Sequence, residues 1–236
     1  MGGLYHYLGL VQKYLINTSG IQLKRTTDVT SILVGGNGSR FLHWLTITGK
    51  YNQRSEINIL LDGILTKSSG LKSNPDLMTL SPAPKDEACG GLVVLPDGEK
   101  LKGLDQKQKD YPFLGEACKI NGQSFTADQR LELADSWENI EDFRVTSFKE
   151  IEDYIKNFNE LIKDERIQEI DSLRNFGKGG LFSLTDDVRT LLETSVTQAC
   201  LRKRVRKEQF EPEPAFLITL KCLVGVLADE WSKTKN

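Results

Sequence analysis

The chain has little of what marks a metal protein, a secreted scaffold or a membrane protein. It holds two histidines and four cysteines in 236 residues. The cysteines, Cys89, Cys118, Cys200 and Cys222, form no C-x-x-C pair, which argues against a zinc site and against a disulfide framework. A reducing cytoplasm suits that usage. The formal net charge is only −2, so no global field recruits nucleic acid or an acidic membrane, and nucleic acid is not an expected partner. Long hydrophobic runs are also lacking. The most apolar one, Phe216 to Ala228, is interrupted by Lys221 and falls short of the ~20 residues a membrane span requires. It reads as a buried helix. Met1-Gly2-Gly3-Leu4-Tyr5-His6 has neither the basic region nor the apolar stretch of a secretory leader, so secretion is not expected.

What is present is ordinary for a folded protein. Charged residues make up 27% and apolar ones 39%, which sets aside disordered and fibrous classes. The length allows one large or two small domains with a real core. Leu4, Leu8, Val11 and Leu15 recur at helical spacing and Asn17-Thr18-Ser19-Gly20 supplies a stop, predicting an opening helix. Ser31 to Val34 reads as a short buried strand. Ile57, Leu60, Leu61, Ile64 and Leu65 mark a second helix that ends at Ser68-Ser69-Gly70. Leu77-Met78-Thr79-Leu80 reads as a second strand, and helix, strand and helix in this order predict a parallel α/β layer. From Leu95 to Lys109 the texture turns polar, placing a linker at 97–112. Beyond it, Gly115 to Phe125 alternates across Asn121-Gly122, a hairpin signal.

The rest reads as helical. Ile151, Ile155, Phe158 and Ile162 form one stripe, Val188, Leu191, Leu192 and Val196 a second, and Leu217, Leu220, Val224, Leu227 and Trp231 a third. Gly177-Lys178-Gly179-Gly180 separates the first two, and Pro212 with Pro214 introduces the last.

The sharpest motif is Ile32-Leu33-Val34-Gly35-Gly36-Asn37-Gly38-Ser39-Arg40, a β-prone run that breaks into glycines before a helix-like segment at Phe41. Such a turn presents bare backbone N–H groups to an anionic or nucleotide ligand. No Lys precedes Ser39, so it is not a Walker loop, and the G-x-G-x-x-G spacing is absent. Followed by Pro84-Lys85-Asp86-Glu87-Ala88-Cys89-Gly90-Gly91, this motif resembles the closing part of the actin, sugar-kinase and heat-shock-chaperone ATPase superfamily. The resemblance implies an α/β fold, part of an actin-like ATPase lobe with its ribonuclease H-like layer over residues 1–96, followed by a mostly helical region over 113–236. It also implies an adenine-nucleotide site for ATP or ADP. Gly35 and Gly36 would admit the nucleotide to the backbone. With Asn37 and Gly38 completing the turn, Ser39 would bond the adenine or cap the next helix, and Arg40 would lie against the base. In the chaperone pattern the arginine stands one residue closer to the glycine pair.

The superfamily holds its phosphates and magnesium with two hairpins, each carrying an Asp and a glycine–hydroxyl pair. Asp62-Gly63 and Asp97-Gly98 do not supply them, since the first sits within a helical stripe and the second in a turn. Phosphoryl transfer depends on positioning and charge neutralisation, so hydrolysis by this chain alone is not expected. A missing N-terminal lobe, or an upstream polypeptide, would complete the site; a start at Met1 on a helix the family has in mid-chain points the same way. The helical region is then open to a protein partner.

Other constellations are weaker. His6 and His43 have no acidic or cysteine companion at a ligand spacing and read as surface or packing residues. No G-x-S-x-G elbow presents a nucleophile. Arg202-Lys203-Arg204-Val205-Arg206-Lys207 falls where a helix should end, where cations complement the dipole; its functional alternative is a phosphate-backbone or acidic-partner patch. Glu132, Asp135, Glu138, Glu141 and Asp142 read as a solvated face. Trp44, Trp137 and Trp231 read as core. The alternative to a nucleotide-binding part is a non-enzymatic protein- or nucleic-acid-interaction module carrying an actin-like remnant.

Overall fold

Helices and short strands share this chain. The computed structural model describes residues 1–18, 32–34, 41–52, 54–70, 78–80, 113–129, 142–170, 184–205 and 214–233. In chain order the described elements are α1 (Gly2–Thr18), β1 (Ile32–Val34), α2 (Phe41–Trp44), α3 (Ile57–Ser69), β2 (Met78–Leu80), β3 (Cys118–Ile120), β4 (Gln123–Phe125), β5 (Phe143–Val145), α4 (Lys149–Leu161), α5 (Glu165–Gln168), α6 (Asp186–Val205) and α7 (Ala215–Lys233). The fold is thus mixed, and mostly helical among the described residues.

β1 and β2 pair in parallel, with Ile32 opposite Met78 and Val34 opposite Leu80. Parallel neighbours need a crossover, and α2 and α3 lie within it. α3 forms because its apolar residues repeat on one face: Ile57, Leu60, Leu61, Ile64 and Leu65 are all buried. Burying one such side chain is worth about 1.5–3 kcal/mol. Gly70 ends the helix in the left-handed conformation, its N–H donating to the Thr66 carbonyl.

α1 packs on α3, though not by the stripe its leucines suggest. Leu4 and Leu8 are 46% and 45% exposed, and the buried face carries Gly3, Tyr5, His6, Gly9 and Leu10. The cause is close approach. A Cβ on Gly9 would stand 1.9 Å from the Ser68 Oγ and 3.0 Å from the Ser69 backbone nitrogen, so only glycine lets the helices approach this closely. Asp62-Gly63 lies within α3, where a Gly63 Cβ would meet the Leu161 side chain at 2.7 Å; it is a helix-crossing position.

The hairpin forms at Asn121-Gly122, where both residues take positive φ (48° and 81°), as a two-residue hairpin turn requires. β3 pairs with β4 across it, and on its other edge with β5, which gives the antiparallel order β4-β3-β5. The third strand corrects the all-helical reading of the chain beyond the hairpin: three residues are too few to show a period.

Two further stripes are corrected. Among the described side chains, those buried on α6 are Leu192 and Val196 while Leu191 is exposed, and those buried on α7 are Ala215, Phe216, Ile218, Thr219, Leu223 and Val226 while Val224 is exposed. α7 carries apolar residues around much of its circumference, so its neighbours choose the buried face. The stripe of α4 is buried at Ile151 and Ile155, with Ile162 buried at its end.

The buried residues form two cores. One gathers Tyr5, Leu42, Tyr51 and the α3 stripe with Ile162, Ile167 and Ile170. The other joins Leu10 to Phe113, Leu114, Cys118, Ile120, Phe143, Phe148, Ile151 and Phe216. Each core draws residues from both sides of 97–112; that stretch lies outside the described residues, as do 83–96 and Trp137.

Candidate functional site

Gly35, Gly36, Asn37, Gly38, Ser39 and Arg40 lie outside the described residues, and so does Pro84 to Gly91. Their flanks are described. β1 leads into the glycine run from its carboxyl end, and α2 follows directly after Arg40.

α2 is short but firmly pinned. Leu42 is fully buried against the α3 core. The His43 Nδ1 accepts the Tyr51 N–H at 2.9 Å, and the Thr46 hydroxyl donates to the His43 carbonyl at 2.8 Å. Tyr51 is anchored in turn by its hydroxyl, which donates to the Asn58 Oδ1 at 2.7 Å, while burial pushes its pKa up to about 12. His43 is therefore a packing residue, as its type and spacing suggested.

The opposite side of the segment is apolar and open. Phe41 is 50% and Trp44 65% exposed, and their rings meet at 5.1 Å and 52°. This corrects the expectation that Trp44 is core. The buried position of the short helix is Leu42, which turns residues 41 and 44 together toward solvent.

A second polar cluster stands where α1 meets α4. His6 is buried between Tyr154 and Phe216, at ring separations of 5.7 and 5.4 Å. Neither ring nitrogen makes a hydrogen bond, and the Glu150 Oε2 stands 3.9 Å from Nε2. Burial lowers the His6 pKa to about 4, against the pull of the Asp153 charge. Glu116 is fully buried. Its Oε1 accepts the Ile151 N–H at 2.8 Å, capping the start of α4, while Oε2 has no partner. Burial raises its pKa to about 8, opposed by the backbone donors of Ile151 and Glu150. Sequence spacing alone could not bring His6, Glu116 and Glu150 together, because three separate elements carry them.

Two cavities border this region. One of about 240 Å³ lies between α1 and the 113–128 segment, lined by Leu10, Tyr14, Phe113, Asp128 and Glu150 among others. Another, of about 440 Å³, lies beside β5 and the start of α4 and α6, and holds Arg144, Lys149 and Arg189. Each of these cations already has an acid: Asp142 for Arg144, Asp153 for Lys149 and Glu152 for Arg189.

No group of three or more His, Cys, Asp or Glu that could hold a metal stands among the described residues. No helix among them is long and apolar enough to cross a membrane. No family model, curated protein or solved structure matches the chain.

Proposed function

We propose that residues 1–96 are the adenosine-binding portion of an actin-like ATP-binding protein, with Gly35, Gly36, Asn37, Gly38, Ser39 and Arg40 as the turn that receives ATP or ADP. One observation carries the reading: β1 and β2 are parallel neighbours, and the glycine run follows the carboxyl end of β1. Ligands of open α/β sheets gather outside the carboxyl ends of the strands. Strand, glycine turn, helix and second strand also follow one another in the order the resemblance implies.

In this reading Gly35 and Gly36 let the backbone approach the nucleotide, Ser39 bonds the adenine and Arg40 lays its planar guanidinium along the base. Phosphates and magnesium belong to another lobe, on an upstream polypeptide, and the chain does not hydrolyse ATP alone. The exposed apolar row of Leu4 and Leu8 on α1 supports a polypeptide partner, since an apolar face gains from being covered. The 113–236 region is the helical extension that reads out closure of the two lobes, a population shift. The buried free thiol of Cys118 suits a reducing cytoplasm.

The test is calorimetric titration with ATP and ADP, with and without magnesium, of the chain and of Gly36→Val. Binding that the valine abolishes is the expected result. A folded chain that binds neither nucleotide overturns the reading.

A further inference from the structure

We propose that the cavity between α1 and the 113–128 segment binds a small organic monocation, an amine carried on a flat apolar body. The site is built from described residues alone and does not depend on the nucleotide reading of residues 35–40.

The shape of the cavity sets the size of the ligand. It measures about 240 Å³, below the range that takes drug-sized molecules, so a single ring or a short chain is what it holds. One wall is a face of α1, where Leu10 and Tyr14 stand a turn apart, and the other carries Phe113 and Ala127. The rings of Tyr14 and Phe113 meet at 5.0 Å and 44°. These walls are fixed in advance. The Tyr7 hydroxyl donates to the Phe113 carbonyl at 2.7 Å, the Gly115 N–H to the Ala127 carbonyl at 2.9 Å and the Leu114 N–H to the Gln129 carbonyl at 3.1 Å. A ligand entering such a space has little of the protein left to order.

The charges decide its sign. Two carboxylates, Asp128 and Glu150, line the cavity against one ammonium, Lys13. Glu150 is partly buried, and among the described residues no donor reaches its carboxylate. The Lys149 Nζ is 3.6 Å from Oε1 but bonds Asp153 at 2.7 Å, and the His6 Nε2 is 3.9 Å from Oε2, beyond hydrogen-bond reach. Burial lowers the His6 pKa to about 4, so at neutral pH the imidazole brings that acid no charge. A ligand ammonium supplies the missing charge-assisted bond, and the faces of Tyr14 and Phe113 favour the same cation. Lys13 and Asn17 are exposed, which places the open end of the cavity beside them. The lysine there repels a second positive charge, so the site takes a monoamine over a diamine.

The experiment is calorimetric titration of the chain, Glu150→Gln and Ala127→Phe with 2-phenylethylamine, with its neutral counterpart 2-phenylethanol and with the diamine p-xylylenediamine. The alcohol should bind about tenfold more weakly than the monoamine, the worth of one charge-assisted hydrogen bond. Glu150→Gln should weaken the monoamine by the same factor and leave the alcohol unchanged. Ala127→Phe puts a ring into the cavity from a partly exposed position and should abolish both. Circular dichroism checks that the variants keep the parent fold.

Equal affinity for amine and alcohol overturns the proposal, and so does an unchanged amine affinity in a folded Glu150→Gln. Tighter binding of the diamine overturns it as well. A folded parent chain that binds none of the three overturns it outright, and the comparison of amine with alcohol on the parent decides the matter even where a variant does not fold.

Discussion

The two cores differ in the polar groups they bury. Around α3 the buried polar side chains are neutral and bonded, as Asn58 with Tyr51 and Ser68 with the carbonyls of Ile64 and Leu65 show. Around the three-stranded sheet Thr219 is likewise bonded to the Ala215 carbonyl, but two ionisable groups, His6 and Glu116, are buried with unbonded atoms. A neutral bonded group costs little to bury, whereas a buried ionisable group shifts its pKa and makes stability depend on pH. The first core should therefore answer to changes of volume, and the second to pH.

The largest expected effect lies at the tightest contact of the α3 core. Gly9→Val should destabilise the fold by about 3 kcal/mol or more, because the added carbons meet Ser68 and the Ser69 backbone. Urea denaturation measures it, and an effect under about 1 kcal/mol would mean that α1 does not pack by this face. Ile64→Ala, at a fully buried position, should cost about 3 kcal/mol through the cavity it leaves, by the same assay and with no pH dependence.

The sheet core should show two limbs against pH. Glu116 titrates near 8 in the fold and near 4.5 when exposed. Its stabilising contribution is complete below the lower value and drains away as pH rises through the higher one. His6 titrates near 4 in the fold and near 6.5 when exposed; its contribution is complete above the higher value and is lost as pH falls toward the lower. Stability should therefore peak between about pH 4.5 and 6.5. Glu116→Gln should flatten the alkaline limb and leave the acid one. Melting temperatures from pH 4 to 9 check this, and an unchanged alkaline slope in the variant sinks the assignment.

The smallest effect is expected on the outer face of α1. Leu4→Ala should change stability by less than about 0.5 kcal/mol, since the side chain is half exposed. A loss of 2 kcal/mol would mean that the outer row of α1 belongs to the core.

Local features of the fold were legible in the residues. The α3 stripe and its Gly70 terminus, the Asn121-Gly122 turn and both strands of the parallel pair depend on neighbours a few positions apart, where periodicity and turn chemistry act directly. The glycine run lies outside the described residues. The companions of the buried ionisable groups were not legible: Ile151 and Glu116 are 35 positions apart, and no spacing rule joins them.

By itself, then, the sequence determined where the chain turns and which segments become α3 and the hairpin. Tertiary structure decided which face of α1 and α7 is buried, where β5 pairs, and that Trp44 faces outward. For α1 the outcome rested on how closely two backbones can approach. That is set by a glycine on one element and a small side chain on another, as at Gly9 and Ser68, and no single segment carries it.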